Sequence, residues 1–231
     1  ATSVLEHLLT LPGVDYPVFK VYVLGTDALV RAWSGHCAEA LRLARSALDT
    51  ARAFGIPQHP ATTHAHFGAA LAHLDRAELE PAAMHLAESG RQVRVRVASV
   101  TYFDLQRSLE ARLAALTEGP THALGMPWAP SSSASEAPVV RWAEVDLHTH
   151  LLISSGELVS ARAVLDETGN VPELAPCRID LALATGDLST ARRLLDGWHP
   201  PADDRRSVVR RLLRAFLVLE AEGEHRAAAS A

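Results

Sequence analysis

Three observations predict an all-α fold built from repeated helix hairpins. The 231 residues include 40 alanines and 33 leucines. Both are strong helix formers, whereas a sheet protein would lean on Val, Ile, Tyr and Phe. A segment also recurs: Gly156-Glu157-Leu158-Val159-Ser160-Ala161-Arg162-Ala163-Val164-Leu165 reappears as Gly186-Asp187-Leu188-Ser189-Thr190-Ala191-Arg192-Arg193-Leu194-Leu195. Weaker copies open at Gly35, Ala77, Gly119 and Gly223, so the anchors lie 42, 42, 37, 30 and 37 residues apart. Such spacings fit two helices and two turns per unit. They imply about five to six antiparallel hairpins stacked as a solenoid.

Each anchor closes one apolar-periodic segment and opens another. A Gly after the last turn adopts φ > 0 without a Cβ penalty, and the acid beside it complements the dipole of the next helix. The Ala five residues on is small enough for a close helix crossing. In chain order, residues 2–11, with Val4, Leu5, Leu8, Leu9 and Leu11 on one face, read as the second helix of a preceding unit. First helices are predicted at 17–34, 59–76, 99–118, 139–155, 173–185 and 204–222. Second helices are predicted at 36–54, 78–92, 157–168 and 187–197, with another opening at 224. The alternating run from Arg91 to Val97 reads as the join into the next helix.

The stretch 119–138 breaks the pattern. Pro120, Pro127, Pro130 and Pro138, together with Ser131, Ser132, Ser133 and Ser135, cannot sustain a long helix. A surface loop or disordered linker is expected there, with Trp128 arguing against full disorder and the third unit's second helix short or missing. The expected division is therefore 1–118, a linker at 119–138, and 139–231.

The order small residue, acid, Leu or aromatic, then Ala resembles the second-helix opening of tetratricopeptide (TPR) repeats; Gly35 to Ala40, Gly156 to Ala161 and Gly186 to Ala191 carry it. The longer register from Ala182 to Asp196, followed by Trp198, Pro200, Pro201 and the Arg- and Leu-rich helix from Asp204 to Glu222, is similar to the sensor-side helical repeats of MalT-type large LuxR-family transcriptional regulators. That resemblance covers most of 17–231. It implies a TPR-like right-handed superhelix that receives an effector, with an ATP-binding module and a helix-turn-helix elsewhere in a longer chain. A start at Ala1 and an end inside an Ala-rich helical pattern agree with an internal fragment. A Walker loop needs Gly-Lys-Ser/Thr, and the sole lysine lies in Val18-Phe19-Lys20, so no cofactor is expected in this fragment.

The remaining chemistry is sparse. A formal charge of −5 and the acids Asp203 and Asp204 weigh against direct nucleic-acid binding by Arg205, Arg206, Arg210, Arg211 and Arg214, for which a solvated face or intramolecular ion pairs are expected. No two of the twelve histidines are three or four residues apart, so a zinc helix is absent. Glu144 with His148, and Asp146 with His150, give at most half a site. No metal site is predicted. Without a nucleophile elbow or Cys–His constellation, no catalytic residue and no enzyme is predicted. Cys37 and Cys177 read as buried thiols. No signal peptide or 18-residue apolar run is present, so a cytoplasmic protein without membrane contact is expected.

A binding surface is expected along the first helices, whose equivalent positions form rows in a stack of hairpins. Counting 13 residues back from each anchor gives Tyr22, His64, Gln106, Ala143, Glu173 and Arg210; six back gives Leu29, Leu71, Leu113, His150, Asp180 and Leu217. With Trp33, Asp75 and Asp146 on the same side, the candidate surface is Tyr22, Trp33, His64, Asp75, Gln106, Asp146, His150, Asp180 and Arg210. The expected partner is a small-molecule effector or a protein or peptide, and a homo-oligomer is possible. The leading expectation is a non-enzymatic sensor or scaffold domain of a LuxR-type regulator; the alternative is a general TPR-like scaffold unrelated to transcription.

Overall fold

The computed structural model describes residues 16–95, 100–126 and 138–223. Among them are helices α1 (Pro17–Trp33), α2 (Cys37–Ala53), α3 (Thr63–Asp75), α4 (Leu79–Val95), α5 (Val100–Thr117), α6 (Pro120–Leu124), α7 (Pro138–Ser154), α8 (Leu158–Glu167), α9 (Ala175–Ala184), α10 (Leu188–Gly197) and α11 (Arg205–Ala221), with no strand. Single 3-10 turns at Pro60–Thr62 and Pro172–Leu174 lead into α3 and α9. No helix among the described residues is long and apolar enough to cross a membrane. The segments 2–11, the Pro- and Ser-rich run with Trp128, and the helix expected from 224 lie outside the described residues.

Four of the anchors, Gly35, Ala77, Gly156 and Gly186, form a common turn. At Gly35, Gly156 and Gly186 φ lies between 75° and 80°. In each case the next residue's N–H reaches back to a carbonyl five residues earlier, as in His36 to Arg31 (2.9 Å), Glu157 to Leu152 (2.8 Å) and Asp187 to Ala182 (2.9 Å). This double closure satisfies carbonyls that the helix end would otherwise strand. Ala77 makes the same turn, with Glu78 N–H on His73 O at 2.9 Å, but holds φ at 56° with a Cβ present. The alanines five residues beyond these anchors, Ala40, Ala82, Ala161 and Ala191, are all fully buried.

Two compact units divide between Leu113 and Ala114, inside α5. In the first, α1 packs on α2 and α3, and α3 packs on α4. Leu24 and Ala28 of α1 meet Leu43, Ala44 and Ala47 of α2 and Ala65 and Ala69 of α3. The α1–α3 crossing is glycine-lined: a Cβ on Gly68 would come within 2.8 Å of the Ala28 and Leu29 backbone, and one on Gly25 within 2.9 Å of the Ala65 nitrogen. In the second unit, α7 pairs with α8 and α9 with α10, while α9 also touches α7 and α11. Val145, Leu152, Ala161, Leu165, Leu174, Cys177 and Leu181 form one apolar layer, and Ile179, Ala182, Ala191, Leu195 and Val218 the next.

Three local expectations change. Residues 120–124, inside the stretch read as loop or linker, form the short α6, which is the short form of the third unit's second helix, because a Pro at the first helical position loses no hydrogen bond. The alternating residues from Arg91 to Val95 extend α4 rather than leaving it. Helix α11 is turned so that its buried residues are Arg214 and Val218, while Val209, Leu212, Leu213, Phe216 and Leu217 are exposed. Arg210, Arg211 and Arg214 turn toward the protein and bond to Asp146, the Trp198 carbonyl and Asp180, while Arg205 is exposed.

Candidate functional site

In the first unit the row of first helices is aromatic. Tyr22 of α1 and His64 of α3 lie 5.1 Å apart by ring centroids, and Tyr102 of α5 stacks on His64 at 5.2 Å. Phe67 backs Tyr102 at 6.3 Å. These spacings suit tilted or offset ring contacts. Tyr22 is 44% exposed, so the row opens to solvent at α1. Burial pushes the His64 pKa down to about 4, so the ring is neutral near pH 7.

Counting along the chain therefore places Tyr22 and His64 together but misses their third partner. Gln106 turns toward α4, where its Oε1 accepts from the Ser89 hydroxyl at 2.7 Å and its Nε2 donates to the Leu86 carbonyl at 3.0 Å. Tyr102, one helical turn earlier, takes the place in the row. A fixed offset from the turn does not find it: Tyr22 and His64 lie 13 residues before their anchors, whereas Tyr102 lies 17 before Gly119, one helical turn further back. The Tyr at 102 was the available signal, since an aromatic four residues before the expected position stays on the same helix face.

Asp75, at the end of α3, accepts from Arg112 of α5 at 2.6 Å and lies 3.9 Å from the Cys37 sulfur. Trp33 ends α1 half-buried. Between α3 and α4 lies a group that spacing rules overlooked: His66 and His85 bring their Nδ1 atoms to 3.0 Å, and His73 stacks on His85 at 5.6 Å while its Nδ1 sits 2.6 Å from the Glu78 carboxylate. Burial, and then the neighbouring histidine, lower His66 and His85 to about 4. His66 and His73 are seven apart, two turns on one helix face, a spacing that a search at three and four residues does not reach. Among the described residues no group of three or more His, Cys, Asp or Glu is placed to hold a metal ion.

In the second unit the same row is ionic. Arg210 of α11 donates to Asp146 of α7 at 2.6 Å, and the Cys177 thiol of α9 donates to the same carboxylate at 2.9 Å. Arg214 donates to Asp180 and, through Nε, to the Pro176 carbonyl at 3.1 Å. Burial works to raise the Asp146 carboxyl, but the Arg210 guanidinium outweighs it and holds it below its ordinary range. Burial, and then the Asp146 charge, push the Cys177 thiol well up, which makes it an unreactive donor. Asp146, Asp180 and Arg210 are thus assembled by the fold, but as mutually satisfied ion pairs, whereas His150 points outward on α7. The two rows differ in what they offer a ligand: open aromatic surface in the first unit, consumed charge in the second. Comparison with protein families, curated proteins and solved structures finds no match.

Proposed function

We propose that this chain is a non-enzymatic, TPR-like helical-repeat domain, a right-handed solenoid segment of a MalT-type LuxR-family regulator, that binds an effector along its first helices. The repeat register, and the common turn and buried alanine at Gly35, Ala77, Gly156 and Gly186, support the architecture. The observation that carries the binding role is the Tyr22–His64–Tyr102 row, in which three rings with no net charge lie side by side and one is open to solvent. Aromatic faces of this kind suit a small molecule with a flat apolar body. In this reading the domain acts in the cytoplasm without contacting DNA itself, and the ATP-binding and helix-turn-helix modules belong to the parent protein.

A general protein- or peptide-binding scaffold is the second reading. The outward apolar face of α11, with Leu213 55% and Phe216 40% exposed, favours it, because contiguous exposed apolar patches mark interaction surfaces. A metabolite panel followed by thermal denaturation separates the two. An effector should raise the melting temperature of the wild type and not of the Tyr22→Ala/His64→Ala variant, since binding to the native state alone stabilises it. An equal rise in both proteins would exclude this surface. The coding sequence around the domain gives an independent check: an ATP-binding module before it and a helix-turn-helix after it are expected.

A further inference from the structure

The hydroxyl of Thr26 fixes the proton on His64. A threonine hydroxyl has one hydrogen to donate and lone pairs to accept with. Its Oγ lies 2.8 Å from the Tyr22 carbonyl oxygen and 2.8 Å from His64 Nδ1. The carbonyl can only accept, so satisfying both contacts at once puts the hydroxyl hydrogen on the carbonyl. The second contact is then a hydrogen bond only if His64 carries its proton on Nδ1 and donates it to Thr26. Burial alone lowers the ring's pKa, with no charged neighbour contributing, so the imidazole holds this one proton near pH 7. Nε2 is left as a lone-pair acceptor, and no described residue hydrogen-bonds it.

We propose that His64 Nε2 is the recognition acceptor of the first-helix row, selecting a flat, uncharged ring that carries an O–H or N–H donor, of the phenol or indole class, with the exposed Tyr22 ring as its stacking surface. This rests on the reading of that row as the binding surface. A carboxylate or phosphate would set acceptor against acceptor, and no charged group acts on His64 to hold an ion. A plain hydrocarbon ring would stack on Tyr22 but leave Nε2 without a partner, which forfeits the discrimination a hydrogen bond provides. Thr26 is therefore a positioning residue: its hydroxyl bonds His64 and the Tyr22 backbone, and so sets which nitrogen faces the ligand.

Nitrogen-15 NMR of the intact chain reads the tautomer directly, and titration with phenol or with anisole, which keeps the ring and lacks the hydroxyl hydrogen, reads the selectivity. The expected result is an unprotonated Nε2 whose resonance moves toward the hydrogen-bonded range with phenol and stays in place with anisole. Thr26→Val, close to isosteric, should lose the fixed tautomer and weaken phenol about fivefold, the worth of one hydrogen bond, whereas Thr26→Ser should behave as wild type. A proton on Nε2, or an equal response to phenol and anisole, overturns the proposal. If phenol leaves Nε2 unmoved while an effector still stabilises the wild type and not Tyr22→Ala/His64→Ala, the donor rule falls and the binding surface stands. If neither responds, both fall.

Discussion

The two units build the same row of helices with opposite chemistry. In the first, α1, α3 and α5 approach over Gly25, Gly68 and a set of neutral rings; in the second, α7, α9 and α11 are joined by the Asp146–Arg210 and Asp180–Arg214 pairs. Rings leave their edges and one acceptor nitrogen available. Ion pairs use up their charge on each other, and the net gain is small because both partners surrender water. The helix row thus leaves ring surface exposed in the first unit and charge already paired in the second.

Acid gives the largest expected contrast. His64, His66 and His85 have pKa values near 4 in the folded chain against 6.5 ordinarily. Between those values the unfolded chain holds the extra protons, so the first unit loses stability as pH falls from about 6.5 to about 4, by about 3 kcal/mol for His64, with His66 and His85 adding to the loss as a coupled pair. Asp146 has its pKa lowered, so its contribution to the second unit survives above the ordinary carboxylate range and is lost only as pH falls through its depressed value. Denaturation followed by Trp33 in the first unit and Trp198 in the second, each as a single-tryptophan variant, should show the first unit failing at higher pH.

The next effect tests the ion pairing. Asp180→Ala leaves the Arg214 guanidinium buried without its carboxylate and should cost about 3 kcal/mol in urea denaturation, whereas replacing both partners with apolar residues should cost far less. A similar loss in both variants would mean that the pair itself is strongly stabilising. In the first unit, Gly68→Ala should cost about 2 kcal/mol, because the new Cβ meets the Ala28 and Leu29 backbone, which cannot yield as a side chain would. Smallest of all, Ala77→Gly should raise stability by about 0.5 kcal/mol by relieving the left-handed turn, net of the entropy that glycine adds to the unfolded chain.

Much of this order is readable in the sequence, and the reasons it stops are physical. The turns and the buried Ala40, Ala82, Ala161 and Ala191 follow from local backbone and size requirements, which recur at Gly35, Ala77, Gly156 and Gly186 and are broken at Gly119 by Pro120. The pairing of Tyr22 with His64 also follows, because α1 and α3 cross in equal register. Tyr102 does not, since it stands one helical turn further from its anchor than Tyr22 and His64 do from theirs, and a fixed spacing passes over it. The orientation of α11 is equally hidden: its Leu and Arg faces are both continuous, and the inward choice depends on Asp146 and Asp180 some 30 to 60 residues earlier. The His66–His85 contact needs two helices at once and has no signature in either.

Hydrogen exchange measured across the whole chain, with and without a compound that raises its melting temperature, tests most directly whether the aromatic row is where the domain binds. Slower exchange centred on α1, α3 and α5 around Tyr22, His64 and Tyr102, with α7 to α11 unchanged, is the expected result. Protection confined to the second unit, or centred on the exposed face of α11, would contradict it.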